Sequence, residues 1–250
     1  MSESAVDLTV VLPAYNEARL IEARLVRLRR HLSRRSGTWE IIVVDDGSTD
    51  ATAARVEGVR RDEPRLRLVA LTVNEGKGAA IARGFTEARG AILATTDADL
   101  SYALADLDAV IAAIESGADI ATGNRRHARS RINLSFGLFP YLVRRSVTGG
   151  AFRLFVRALF GLKVGDTQCG LKAFSRRAAT AIVPRLITRR FLTDIEIFLA
   201  ARGLGFSVAE IPVHLRYLSS QTSVRVLRGL PATLVDLARI KAAELRGAYE

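Results

Sequence analysis

Apolar residues in the first half of the chain fall in short continuous runs, and residues at helical spacing follow each run. LTVVLPA (8–14), EIIVV (40–44), LRLVALT (66–72) and the run over 91–96 are β-rich and unbroken, the pattern of strands covered on both faces. Between them Ile21, Leu25, Leu28 and Leu32 recur at helical spacing, with arginines on the other face. A further helix is expected from the Asn74-Glu75-Gly76-Lys77-Gly78 turn to about Ala88. Asn16 is placed to cap the first helix, and Thr49 or Asp50 the next. This alternation predicts βαβ units, a mainly parallel central sheet and an α/β fold.

The second half is less regular. A helix is expected over 104–116 and a strand near 118–122, followed by Gly123-Asn124-Arg125-Arg126. Residues 132–163 are apolar and basic together, 207–215 read as a strand, and 230–245 as a helix carrying Leu230, Leu234, Leu237 and Lys241. Within 132–163, Phe152, Phe155, Val156, Leu159 and Phe160 fall on one helical face, with Arg153 and Arg157 on another. Such a helix either lies in a membrane interface or packs on the core with its charges in water.

Ligands of parallel sheets gather beyond the carboxyl ends of the strands. Four polar motifs fall there: Tyr15-Asn16-Glu17, Asp45-Asp46, Asn74 to Gly78, and Asp97 with Asp99. The coincidence predicts one site assembled from four loops.

Composition narrows the partners. The 250 residues include 37 basic and 26 acidic ones, a formal charge of +11. That excess suits an anionic partner: nucleic acid, an anionic membrane surface or phosphorylated ligands. A single cysteine, Cys169, excludes an internal disulfide and fits a reducing compartment. Residues 1–7 carry neither a basic n-region nor an apolar core, and no window of about 18 apolar residues is uninterrupted, so a soluble or peripheral protein is expected.

Each motif has a functional and a plainer reading. Asp97 and Asp99 can converge on one divalent cation, which takes oxygen ligands and shares them with phosphate, or they can be a solvated helix-capping pair. Asp46 can accept hydrogen bonds from a base or ribose, while Gly47-Ser48-Thr49-Asp50 form a capping turn. The glycine-flanked Lys77 opens a helix whose amides suit an anion, or it is an ordinary strand-to-helix turn; it is not a Walker A loop. His31, His127 and His214 show no metal-ligand spacing.

The strings LPAYNE, VVDDGSTDAT, NEGKGAAIARGF and TTDADLSY, in that order across 8–125, resemble family 2 glycosyltransferases of the GT-A fold. Downstream, ATGNRR, GDTQCGLKAFSR, FLTDIEIFLAARGLGFSVAEIPV and SSQTSVRVLRG resemble the polyprenyl-phosphate (dolichyl-phosphate) branch, and DTQCGLKAF is closer to its glucosyltransferases than to its mannose synthases. The resemblance implies a GT-A Rossmann-like sandwich with amphipathic helices. A flexible 1–7 would precede a catalytic domain over 8–228, split into a nucleotide-sugar half (8–125) and an acceptor half (126–228), with a C-terminal helix over 229–250.

It also implies roles. Pro13, Tyr15 and Glu17 would surround base and ribose, Val44 and Asp46 would hold the base, and Lys77 and Ala98 would line the donor pocket. Asp97 and Asp99 would hold Mg²⁺ or Mn²⁺, with Ser101 standing where mannose synthases carry Gln as a further ligand. Arg125 would reach the phosphates. Arg144, Arg216 and Arg225 match basic positions for donor or acceptor phosphate. Asp166 would face sugar or acceptor, with Asp194 or Glu196 as other candidate bases.

The activity implied is inverting, metal-dependent transfer of a hexose from UDP-glucose or GDP-mannose to a polyprenyl phosphate, by an enzyme held peripherally at the inner face of the cytoplasmic membrane. A soluble hydroxyl acceptor is the alternative within the family. A basic nucleic-acid-binding protein is the alternative outside it; 6% aromatic residues and no nucleic-acid motif speak against that. A donor-binding protein without activity is disfavoured by the intact Asp97/Asp99 pair. Oligomeric state is not legible.

Overall fold

The structure, a computed structural model, describes residues 6–133, 150, 152–216 and 230–250. Strands β1 (Val6–Ala14), β2 (Trp39–Asp45), β3 (Leu66–Ala70) and β4 (Gly90–Thr95) alternate with helices α1 (Ile21–Leu32), α2 (Thr52–Arg61) and α3 (Lys77–Glu87). Then come α4 (Leu104–Glu115), β5 (Ile120–Asn124), β6 (Arg131–Asn133), helix α5 described over 152–160, and β7 (Lys172–Ser175). Helix α6 (Arg176–Ile182), α7 (Thr193–Gly203), β8 (Val208–Pro212), β9 (His214–Arg216) and α8 (Leu230–Leu245) complete the described chain.

Seven strands form one sheet in the order β3-β2-β1-β4-β7-β5-β8, and β6 pairs with β9 separately. Every residue of β2 (WEIIVVD) is buried, as expected for a strand with a parallel neighbour on each side and helices over both faces. The register sets Ala14 beside Asp45 and Asp45 beside Ala70. The carboxyl ends therefore finish level, and their loops leave from one edge. Strand β7 runs antiparallel between β4 and β5, which brings Lys172 against Thr95 and Thr122 at that same edge.

Two apolar cores sandwich the sheet. One holds Leu25, Leu28 and Leu32 of α1 with Leu107, Val110 and Ile111 of α4; the other holds Ile81 and Phe85 of α3 with Ile195, Phe198, Leu237 and Ile240. Truncating one such fully buried leucine to alanine costs about 2–5 kcal/mol, so each helix is anchored by its apolar stripe.

Several expectations change. Val6 and Asp7 lie in β1, and Asp7 accepts the Thr38 amide at 2.6 Å, so the flexible terminus does not extend to residue 7. Helix α1 starts at Ile21 after Leu20, not at Asn16. Asn16 instead adopts φ 54° and accepts the Thr49 amide at 2.9 Å. Of the two readings of the α5 face, core packing holds for most of it: Val156 and Phe160 are buried, and Phe152 and Leu159 pack against the same core. Phe155 and its neighbour Leu154 are large apolar residues of that helix left exposed. Among the described residues no helix is long and apolar enough to cross a membrane.

Candidate active site

The loops after β1 and β2 are sewn together. Ser48 Oγ accepts the Asn16 amide at 2.9 Å, Thr52 Oγ1 accepts the Glu17 amide at 2.8 Å, and Asp50 accepts the Ala18 amide at 3.1 Å. Asp50 also takes the Thr52 amide at 2.9 Å, but the N-cap of α2 is Ala51, with no side-chain capping bond, so neither Thr49 nor Asp50 takes the expected cap position. Tyr15 is left exposed beside this seam, Pro13 is half-buried, and Glu17 pairs with Arg24 at 2.5 Å.

Asp46 is buried and accepts the amides of Glu75 and Gly76, at 2.8 and 2.9 Å. Burial raises its carboxyl above the usual range and the two amides only partly offset this. It shapes the loop that carries Lys77; whatever it offers a base comes from its remaining lone pairs. The Val44 side chain is buried in the core beneath α3, and its backbone pairs with β1 and β3. Gly76 takes φ 108°, a conformation glycine adopts without a Cβ penalty. The Arg189 carbonyl accepts the Ala79 amide at 2.9 Å, so part of the α3 N-terminus expected to seat an anion is capped by the chain itself.

Lys77 Nζ lies 2.5 Å from Asp97 Oδ1. Burial opposes charge on both, but the pairing prevails. Asp97 is held below the carboxylate range by Lys77, with Lys172 and Arg125 adding to it, and Lys77 is raised by Asp97 and Asp194. Asp99 accepts the Ser101 amide at 2.9 Å and the Ser101 hydroxyl. Ser101 therefore orients Asp99 as a donor. Ala98 is buried between the two acids. Gly170 lies so close that a Cβ there would fall 2.1 Å from Asp97 Oδ2. Among the described residues no third His, Cys, Asp or Glu joins the pair into a metal cluster. Two carboxylates at a strand end still fit Mg²⁺ or Mn²⁺, which complete their shells with water and phosphate oxygens.

Arg125 and Asp166 form the second clamp. Nε meets Oδ2 at 2.7 Å, Nη2 meets Oδ1 at 2.8 Å, and the Arg125 amide adds a third bond at 3.1 Å. Burial would raise Asp166, yet Arg125 holds it below the usual range. Both oxygens are thus committed to the arginine rather than facing outward. Glu210 supports the pair: it accepts Asn124 Nδ2 at 2.5 Å and the Gly165 amide at 3.0 Å, the residues just before Arg125 and Asp166.

Sequence reasoning missed Lys172. It is 2% exposed and donates to Asp194 Oδ1 at 2.8 Å and to the Cys169 carbonyl. Asp194, a candidate base, is thereby paired. Glu196, the other, is wholly buried: it accepts the Ile187 and Thr188 amides, each at 2.8 Å, the Thr188 hydroxyl, and Tyr249 OH at 2.8 Å. It is a structural tie between loop and C-terminus, not a base. Cys169 and Tyr102 are buried under the site, where burial raises both above their usual ranges. His31 and His214 pair with Asp108 and Asp106. Arg144 and Arg225 lie outside the described residues, as does the Arg216 side chain at the end of β9.

Residues 9–179 match the model of Glycosyl transferase family 2. The chain is 31% identical to Dolichyl-phosphate beta-glucosyltransferase ALG5C of Trichomonas vaginalis, over 96% of this chain and 72% of that protein. It is 30% identical to Dolichyl-phosphate beta-glucosyltransferase of Saccharomyces cerevisiae, over 97% and 76% respectively. Among solved structures, glucosyl-3-phosphoglycerate synthase of Mycobacterium tuberculosis, in complex with Mn²⁺, UDP-glucose and phosphoglyceric acid, superposes with TM-score 0.68 at 21% identity, covering 96% of this chain and 79% of that one. At that identity the fold is what the two share, and it is the GT-A fold.

Proposed function

The chain belongs to glycosyl transferase family 2, and we propose that it moves a hexose, glucose before mannose, from a nucleoside-diphosphate sugar to a polyprenyl phosphate at a membrane surface. The observation that carries this reading is the pairing of acids with clamped cations along one strand edge: Lys77 on Asp97, Arg125 on Asp166. Such an edge suits a diphosphate leaving group and a phosphate nucleophile together. The dolichyl-phosphate glucosyltransferases that align over nearly the whole chain support the acceptor and the sugar. The fold neighbour crystallised with UDP-glucose supports UDP over GDP.

A phosphate monoester has a second pKa of about 6, so near neutral pH the acceptor oxygen attacks without losing a proton to the enzyme. Its bond to the anomeric carbon forms as the bond from that carbon to the diphosphate oxygen breaks, and the in-line displacement inverts the centre. No general base is required, in keeping with Asp166 turned onto Arg125 and Glu196 buried in the fold. Asp97 and Asp99 would hold Mg²⁺ or Mn²⁺, which supplies charge neutralisation on the departing diphosphate. Arg125, fixed by Asp166, adds positive charge where negative charge develops. Tyr15, Pro13 and Glu17 line the entrance for base and ribose. Arg144, Arg216 and Arg225 remain proposed contacts to phosphate.

Exposed Leu154 and Phe155, with the excess of basic residues, support a peripheral contact with an anionic cytoplasmic leaflet. The donor is tested by a thermal-shift panel of UDP, GDP and their sugars with and without Mn²⁺. UDP-glucose with Mn²⁺ is expected to raise Tm most; a larger shift with GDP-mannose would replace glucose by mannose.

A further inference from the structure

The carboxylate that would hold the metal is already paired with a cation from this chain. Lys77 Nζ sits 2.5 Å from Asp97 Oδ1, and both side chains are largely covered, 22% and 34% exposed. The lysine is not there by chance of a floppy loop. Its backbone is pinned on one side by Asp46, which takes the Glu75 and Gly76 amides, and on the other by the Arg189 carbonyl on Ala79. The other acid, Asp99, is engaged by the Ser101 amide and hydroxyl. Two aspartates and one ammonium leave a net charge of about −1; Asp194, which also acts on Lys77, is paired with Lys172, and no third acid joins the two into a metal-binding group among the described residues. A dication arriving alone meets a weak ligand set with a competing positive charge in it. A diphosphate reverses both conditions, because it brings oxygen ligands and gives the ammonium another partner.

We propose that Lys77 is the resident cation of the Asp97 seat, so that a divalent metal binds there only together with the donor's diphosphate, which draws the ammonium off Asp97. The inference rests on the metal reading of Asp97 and Asp99, and adds to it the residue that couples metal to donor. Coupling of this kind is reciprocal: whatever factor the nucleotide adds to metal affinity, the metal adds to nucleotide affinity.

The test is Mn²⁺ binding by the full chain, read from the EPR signal of free Mn²⁺, with metal alone and with UDP or GDP present in separate titrations. Wild type is expected to bind Mn²⁺ weakly alone and much more tightly with the matching nucleotide. Lys77→Met keeps most of the side-chain volume, one atom shorter, and removes the charge. It should bind Mn²⁺ alone at least about tenfold more tightly than wild type, a modest share of the Coulomb energy of charges about 4 Å apart. The enhancement by nucleotide should shrink by a similar factor. A gain of binding cannot come from misfolding. If Lys77→Met leaves Mn²⁺ affinity without nucleotide at the wild-type value, the coupling role is overturned while the metal reading stands. If wild type binds no Mn²⁺ with either nucleotide, or Asp99→Asn binds it unchanged, the metal reading fails and takes this inference with it.

Discussion

Asp166 turns both carboxylate oxygens onto Arg125, at 2.7 and 2.8 Å, and takes the arginine's amide as well. The acid's work is to fix the direction of one guanidinium. Asp166→Asn keeps the shape but not the charge. It is expected to lower kcat by on the order of 100-fold, in the range for losing a preorganised electrostatic group. Because no base is lost, the fall of kcat toward acid pH should keep its form, set by the second ionisation of the acceptor phosphate at a pKa of about 6. A mutant whose acid limb vanishes would return the base role to Asp166.

The same pair sets a pH dependence of stability. Burial raises the Asp166 carboxyl, but Arg125 lowers it further, and the net folded value lies below the ordinary 3.8. Asp97 behaves alike under Lys77. A depressed folded pKa means the unfolded chain binds more protons, so this stability is present above about pH 4 and is lost as pH falls through the folded values. Urea midpoints measured from pH 6 down to pH 2 should fall steeply at the acid end for wild type, and less steeply for Asp166→Asn.

Glu196 offers the opposite case, a carboxylate with no access to substrate. Removing it leaves the Ile187 and Thr188 amides and Tyr249 OH without their acceptor. Glu196→Ala is expected to destabilise by about 3 kcal/mol or more, since each stranded donor costs roughly 1–3 kcal/mol. Tyr249→Phe, which removes one of these bonds, should cost about 1–2 kcal/mol and leave kcat near wild type. Chemical denaturation with parallel kinetics separates the two effects.

Gly170 has no room for a side chain, because a Cβ would fall 2.1 Å from Asp97 Oδ2. Gly170→Ala should therefore displace the Asp97 carboxylate, weakening Mn²⁺-dependent nucleotide binding by about tenfold or more while shifting Tm by only a few degrees, the scale of a small overpacking strain. Isothermal titration with UDP, with and without Mn²⁺, reads the difference.

On α5 the exposed and buried apolar residues separate membrane contact from folding. Leu154→Asp/Phe155→Asp should reduce sedimentation with anionic vesicles and leave far-UV circular dichroism unchanged. Phe160→Asp buries a charge at a site 2% exposed and should unfold the helix. Vesicle binding that survives the double substitution would place the contact elsewhere.

Much of this was legible in the sequence where one signal decided. The unbroken runs at 8–14 and 40–44 are strands because both faces are covered; Asp97 and Asp99 follow the end of β4, and Lys77 opens α3, as the glycine-flanked turn suggested. The misses share a cause. Lys172 is buried by a partner 22 positions away, and β7 is four residues long and antiparallel, so no local period announces either. Glu196 sits in a helix with nine buried residues in eleven, where an acid looks like a site until its amide partners are seen. The α5 face was ambiguous because core and membrane reward the same spacing.

The claim that a polyprenyl phosphate is the acceptor is tested most directly by transfer itself. The protein is incubated with radiolabelled UDP-glucose, Mn²⁺ and undecaprenyl or dolichyl phosphate, then extracted with organic solvent. Label that enters the organic phase only when the lipid phosphate is present is the expected result. Label that stays in water with both UDP-glucose and GDP-mannose, while a soluble saccharide or metabolite acceptor becomes labelled, would contradict it.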